Sequence, residues 1–429
     1  MLILISAGEA SGEMYGAQLI EALRREKTGN RAGTNSFSSS ETDRISFFGV
    51  GGERMRAAGC ETVVDAKDLA VVGITEILSH LPKILRLYKN LIREADRRKP
   101  DLAIVIDSPA FNWRVARQMK RRGIPTVYYV APQFWAWRQG RVRLIRNYID
   151  KALVIFPFEE KFYRDRGVDA TFVGHPLAEL EPPTTSRADY ARQFQLDPAK
   201  QWITLMPGSR VKEVRMNLRP IVESAAVLGS QYEFLLPVSP TLDHNFLISL
   251  LRHQEREPQA RKHGTTASAS LARLNSSPSH IVQIRGITLV PQALPALYHS
   301  RAGIIASGTA TVEAAMMNTP FVMVYRVSHL TYLLGRPRVK VPRFAMVNLI
   351  AEEEVVPELV QRDFRVSNVV DHLNNILIDG PARDRMLQGL AKVRSRLRSP
   401  GDNSGKQRHP ADRAAQIICA MADSAASHQ

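Results

Sequence analysis

Cysteine is nearly missing from this 429-residue chain: only Cys60 and Cys419 occur, far apart and without a C-x-x-C partner. That spacing argues against a disulfide framework or a zinc site and points to a reducing compartment. Long apolar runs are missing too, since none approaches the roughly 20 residues a membrane-spanning helix needs. The opening segment Met1 to Ile5 is apolar but short and has no basic leader. It reads as a buried first strand and not as a signal peptide, which places the protein in the cytoplasm. There is no D-x-D pair to hold a divalent ion on a nucleotide-sugar diphosphate, and the histidines show no H-x-x-x-H spacing. No metal and no cofactor are therefore expected. Zinc-finger spacing, R-G-G repeats and aromatic-basic sheet signatures are also lacking, so nucleic acid is not an expected partner.

Positive charge is abundant: 58 Lys and Arg against 42 Asp and Glu give a net +16. Lipid headgroups and nucleotide phosphates would both be attracted, although solubility alone also explains a basic surface. Short apolar runs alternate with amphipathic stretches. Candidate strands in the first half are Leu2–Ser6, Ser46–Val50, Leu102–Asp107, Thr126–Val130, Ala152–Phe156 and Thr171–Val173. In the second half they are Trp202–Met206, Phe234–Pro237, Ile281–Ile284, Gly303–Ala306 and Phe321–Tyr325. Such alternation predicts an α/β protein with parallel sheets covered on both faces. The Pro-rich break Glu181-Pro182-Pro183-Thr184-Thr185-Ser186 divides it into domains 1–180 and 181–398, followed by a polar tail, 399–429, with a terminal helix. Thr28–Asp43 and Arg261–Ser279 read as surface insertions without chemistry.

Ligands of doubly wound sheets bind beyond the carboxyl ends of the strands. Four strand exits are polar and rich in small residues. Gly8-Glu9-Ala10-Ser11-Gly12-Glu13 follows the first strand; it could admit an anion at a helix start near Met14, or be a tight turn capped by Ser11. Asp107-Ser108-Pro109-Ala110-Phe111-Asn112 holds a carboxylate that could take a proton from a hydroxyl, though Asp two residues before Pro is also a common turn. Pro207-Gly208-Ser209-Arg210 combines backbone donors with a guanidinium matched to phosphate. Ser307-Gly308-Thr309 opens a helix in which Glu313 could accept ribose hydroxyls or merely complement the helix dipole. Together the last two favour a nucleotide diphosphate.

From Gly73 to Arg93 the pattern is helical. Ile74, Ile77, Leu78, Leu81, Ile84 and Leu85 share an apolar face flanked by Lys83, Arg86, Lys89 and Arg93. A lipid interface and an ordinary sheet-packing face both fit, and Pro82 predicts a bent or two-part helix.

The ordered set of motifs resembles the lipid-A-disaccharide synthase family. It runs through Ala7-Gly8-Glu9-Ala10-Ser11-Gly12, Asp107-Ser108-Pro109 with Phe111-Asn112, and Trp135-Ala136-Trp137-Arg138. It continues with Phe172-Val173-Gly174-His175-Pro176, Pro207-Gly208-Ser209-Arg210 and Ser307-Gly308-Thr309-Ala310, and ends at Asn348-Leu349. Two positions depart from the family pattern: Ala110 stands where an acid is usual, and Glu13 where Asp is usual. The resemblance implies a GT-B fold, two doubly wound Rossmann-like domains facing across a cleft. It also implies inverting, metal-independent transfer from UDP-2,3-diacylglucosamine to 2,3-diacylglucosamine 1-phosphate (lipid X).

Under that resemblance Asp107 is the general base. Gly208, Ser209, Arg210, Ser307, Gly308, Thr309, Glu313 and Asn348 hold the UDP-sugar. Gly8, Glu9, Ser11, Gly12, Asn112, Trp135, Trp137 and Arg138 form the acceptor side. The helix near residue 80 then meets the inner face of the cytoplasmic membrane, and relatives suggest a homodimer. Another GT-B enzyme, such as a UDP-sugar epimerase or a peptidoglycan UDP-N-acetylglucosamine transferase, is the rival enzyme reading. A basic, non-catalytic binding protein is the rival from another class.

Overall fold

A computed structural model describes residues 1–29, 45–69, 74–256, 281–328, 332–333, 336, 341–401 and 408–426. The chain forms two compact units: Met1–Glu179 together with Leu397–Gln429, and Leu180–Arg396.

The first unit holds a seven-stranded sheet in the order β3-β2-β1-β4-β5-β6-β7. Its strands are β1 Leu2–Ala7, β2 Ser46–Gly51, β3 Cys60–Asp65, β4 Leu102–Ile106, β5 Thr126–Tyr129, β6 Lys151–Val154 and β7 Ala170–Phe172. Every pairing is parallel. Helices on both faces bury a parallel sheet completely, so the central strands read as unbroken apolar runs; all five residues of β4 are buried. The helix Pro410–Ala426 packs on Ala10–Gly29, with Arg25 and Lys27 paired to Asp412 and Asp423. The tail thus carries a helix that packs on the first unit's helix Ala10–Gly29.

The second unit repeats the plan in the order β10-β11-β9-β8-β12-β13-β14. Its strands are β8 Gln201–Met206, β9 Tyr232–Pro237, β10 Gln283–Ile284, β11 Ile287–Val290, β12 Ala302–Ala306, β13 Phe321–Tyr325 and β14 Glu358–Val360. All neighbours are parallel except the antiparallel edge pair β10 and β11.

Sequence reading missed β3, β11 and β14, and placed a strand at Ile281–Ile284 where only Gln283–Ile284 pairs. The insertion expected at Thr28–Asp43 lies outside the described residues from residue 30 onward, as does all of Arg261–Ser279. The helix expected near Met14 begins earlier, at Ala10. Of the bent or two-part helix expected at Pro82, the two-part form is not found: one helix runs Ile74–Arg98 with Pro82 inside it. A single proline removes one backbone donor, and packing on the sheet outweighs that loss. Leu91 and Ala95 are fully buried, and Ile84, Leu87, Tyr88 and Ile92 pack against the same core. This corrects the membrane-contact reading for Ile84. Leu81 and Leu85, by contrast, remain 43% and 47% exposed. The side chains of Ile74, Ile77 and Leu78 lie outside the described residues.

Candidate functional site

In the first sheet the chain steps from β1 to β2 and β3 on one side, then crosses to β4 on the other. The order reverses between β1 and β4, and such a switch point leaves a crevice at the carboxyl edge. Two of the expected segments leave these strands together. Ser11 Oγ lies 3.4 Å from Asp107 Oδ2. A Cβ on Gly8 would stand 2.7 Å from Ser108 Oγ, so only glycine lets the two loops approach this closely.

Asp107 and Ser108 are consecutive non-glycine residues in the left-handed region, with φ of 48° and 43°. Such conformations cost about 1–3 kcal/mol each and persist only where neighbours hold them. Here the neighbours are named. Asn112 Nδ2 donates to the carbonyls of Ile106 (2.8 Å), Asp107 (2.9 Å) and Ser6 (3.2 Å). Its Oδ1 accepts the Ser6 hydroxyl at 2.7 Å, and the Tyr128 hydroxyl donates to the Asp107 carbonyl at 2.7 Å. Asn112 is fully buried, with both ends of its amide engaged. Expected on the acceptor side, it spends its amide on the backbone around Asp107 and so holds that turn in place.

The Asp107 carboxyl is half-buried, and burial raises its pKa; the Ser108 N–H and Ser11 hydroxyl pull the other way. The result is a carboxylate more basic than usual, held in one orientation at a strand exit, which is what a general base requires. Glu9 and Ser11 are exposed on the facing loop, and Ala110 is exposed one turn on. Glu13 is used differently: its carboxylate accepts the Arg54 N–H at 2.8 Å, satisfying the start of the short helix Glu53–Ala57.

The tryptophans of Trp135-Ala136-Trp137-Arg138 separate. Trp137 is half exposed, with the Arg138 guanidinium 3.8 Å from its ring centroid. Trp135 is buried, and its indole N–H donates to Glu159 Oε1 at 2.8 Å, so its expected place among ligand contacts is corrected to a supporting one. Glu159, missed from sequence, is fully buried and also accepts the N–H groups of Ile155 and Phe156. Burial pushes its pKa up to about 7 against those three bonds. His175 is likewise internal: Nδ1 accepts the Leu177 N–H, and burial lowers its pKa to about 3.

The second sheet reverses between β8 and β12, which pair as Met206 with Ile305. Its switch point gathers the Pro207-Gly208-Ser209-Arg210 and Ser307-Gly308-Thr309 turns. The first turn is anchored from beneath. Asn217 Nδ2 donates to the Pro207 carbonyl (3.0 Å), and the Thr241 hydroxyl donates to the Ser209 carbonyl (2.7 Å). Arg210 points outward, with Nη1 donating to Glu213 Oε1 at 2.8 Å. Sequence reading missed Glu213, although its place in the first turn of the helix Val211–Leu228 is a visible capping spacing. The Ser209 N–H, expected to be free for an anion, donates to Glu213 Oε2 at 3.1 Å.

In the second turn Gly308 and Thr309 are exposed, while the Ser307 hydroxyl donates to the Phe344 carbonyl at 2.9 Å. Glu313 sits in the first turn of the helix Ala310–Met316, and burial raises its pKa. A carboxylate so placed is a strong acceptor for hydroxyl donors. Asn348 departs from its expected donor contact. It is fully buried, its amide donating to the Val356 carbonyl and Glu358 and accepting the N–H groups of Val355 and Val356. Glu358, also missed, holds the Phe344 and Ala345 N–H groups with its other bonds. Asn348 therefore shapes the loop that receives Ser307 and has no polar group left for a ligand. Among the described residues no three His, Cys, Asp or Glu side chains form a metal-binding group.

Residues 3–399 match the family model for lipid-A-disaccharide synthetase. The lipid-A-disaccharide synthase of Koribacter versatilis (strain Ellin345) is 46% identical over 420 residues, covering 98% of each chain. Among solved structures, the UDP-GlcNAc 2-epimerase of Neisseria meningitidis, bound to UDP-GlcNAc, superposes with a TM-score of 0.55 at 12% identity, covering 98% of this chain and 99% of the other. The calicheamicin glycosyltransferase CalG4 does so with 0.51 at 14%, covering 98% and 97%. At such identities these two likenesses speak for the two-Rossmann fold alone.

Proposed function

The chain belongs to the lipid-A-disaccharide synthase family, and from that premise we propose how its two switch points divide the reaction. The enzyme is a glycosyltransferase of lipid A synthesis. It joins UDP-2,3-diacylglucosamine to the 6-hydroxyl of 2,3-diacylglucosamine 1-phosphate, giving the β-1,6-linked disaccharide phosphate and UDP. Acceptor chemistry belongs to the first unit and UDP-sugar binding to the second.

Asp107 takes the proton as the acceptor oxygen attacks the sugar carbon from the side opposite UDP. The bond from that carbon to the diphosphate oxygen breaks, and the departing charge is met by Arg210 and the exposed Gly308-Thr309 turn. Glu313 accepts the ribose hydroxyls. The observation that carries this reading is the Asp107 turn: two strained residues, a buried amide and a tyrosine hydroxyl are all spent on orienting one carboxylate. Conformational strain of this kind gathers at working sites.

Both substrates carry acyl chains, so the enzyme must meet a lipid surface. No described helix is long and apolar enough to cross a membrane. Leu81 and Leu85, exposed on a helix that also carries Arg86, Lys89 and Arg93, support peripheral contact with the cytoplasmic face of the membrane. A homodimer is the assembly the family resemblance suggests, and sedimentation of the purified chain tests it.

The reaction is tested by mass spectrometry of products formed from the two substrates in detergent, with chelator present. Acylated disaccharide phosphate plus UDP is expected. Intact substrates beside a folded protein would overturn the assignment of donor and acceptor.

A further inference from the structure

The turn that should cradle a diphosphate is already occupied by an anion of the protein's own. The Ser209 N–H and the Arg210 guanidinium both bond the Glu213 carboxylate, at 3.1 and 2.8 Å. Gly208, with φ of +124°, lies so close that a Cβ there would stand 2.6 Å from Glu213 Cβ and 2.7 Å from its Oε2. Tyr325, at the end of β13, senses the same pair: burial raises its pKa first, Glu213 raises it further and Arg210 opposes.

We propose that Glu213 is a built-in stand-in for the diphosphate, holding Ser209 and Arg210 until a nucleoside diphosphate displaces it. The inference rests on reading this switch point as the UDP site. Two anions cannot share one small set of donors, because like charges a few ångströms apart repel strongly where water is partly excluded. One must yield, and the turn itself cannot, since Asn217 and Thr241 pin its carbonyls. The side chains can. Arg210 is 79% exposed and Glu213 22%, and an ion pair at that exposure, three residues apart on a helix, holds weakly. Binding then exchanges one anion for another: the free enzyme keeps Arg210 near the turn, and the nucleotide meets a competitor that must rotate away.

Glu213→Gln separates this from simple helix capping. The amide oxygen can still accept the Ser209 N–H, so a cap survives, but the competing charge is gone. Titration calorimetry with UDP, inorganic pyrophosphate and uridine should show UDP and pyrophosphate binding about three- to tenfold tighter than to the unaltered protein, with uridine unchanged. UDP affinity that is unchanged or weaker, with the melting curve intact, would overturn the proposal and leave Glu213 as a cap. Should the Gln variant melt early, Glu213→Asp is read in its place. Its carboxylate is one methylene short of both donors, so tighter UDP supports the proposal and unchanged or weaker UDP overturns it. If the unaltered protein binds no UDP, the reading of the site fails and this inference with it. UDP binding that E213Q does not tighten sinks the inference alone.

Discussion

The two switch points stand at the same place in the same kind of sheet, yet they are built to opposite standards of rigidity. At the first, Asp107 is held by a fully buried asparagine, a buried tyrosine and two strained backbone conformations. At the second, the backbone is pinned but the charged side chains stand in water, Arg210 above all. The tasks proposed for the two sites would account for the difference. A base must meet one proton within a few tenths of an ångström, so fixing it in advance is worth the strain. A diphosphate is large, charged and forgiving of geometry, so exposed groups can gather around it after arrival.

The sharpest way to break the contrast is Asp107→Asn, which should lower turnover by about 10²–10⁴-fold while leaving UDP affinity in place. Near-normal turnover would remove Asp107 from the mechanism. The pKa shift adds a sign. Because folding raises this carboxyl above its unfolded value, the native state binds the extra proton, and stability falls as pH rises from the unfolded to the folded pKa. The Asn variant escapes that loss, so at neutral pH it should melt no earlier than the unaltered protein, whereas turnover of the latter should rise with pH as the base ionises.

Arg210→Ala should weaken UDP binding by about 1.5–3 kcal/mol, one to two decades, with no change in melting temperature. Unaltered calorimetric affinity would show that the exposed guanidinium does not reach the ligand. Asn348→Ala tests the opposite kind of residue. It leaves the Val355 and Val356 N–H groups buried without an acceptor, at about 1–3 kcal/mol of stability, and its main effect should appear as a lowered melting temperature. The smallest effect on the fold should come from Leu81→Asp with Leu85→Asp. These side chains are nearly half exposed, so vesicle binding should fall while the melting curve stays put. A collapse of stability would place them in the core.

The two switch points were legible because each strand exit is a run of small polar residues interrupting an apolar segment, and local composition alone marks them. Of the three strands that escaped notice, β11 is a short apolar run, Ile-Thr-Leu-Val, whereas the other two have a poor local pattern. β3 reads Cys-Glu-Thr-Val-Val-Asp and β14 is three residues long, and each is specified by pairing with the strand beside it, β2 and β13. The same holds for side chains. Glu159 looks like one of two adjacent acids in its helix until Trp135, 24 residues earlier, is seen to donate to it. Asn112 and Asn348 were expected on the acceptor and donor sides, because sequence does not show that their amides are spent on backbone carbonyls and N–H groups.

The return of residues Leu397–Gln429 to the first unit has a temporal side. The helix Ala10–Gly29 leaves the ribosome before the second unit, and the helix Pro410–Ala426 that packs on it leaves after that unit. The second unit lies wholly between them and can finish folding during synthesis. The first must wait, with part of its apolar surface uncovered, for roughly the time needed to translate everything in between, at about 5–20 residues per second. The unit that carries Asp107 is therefore begun before the second unit and completed after it.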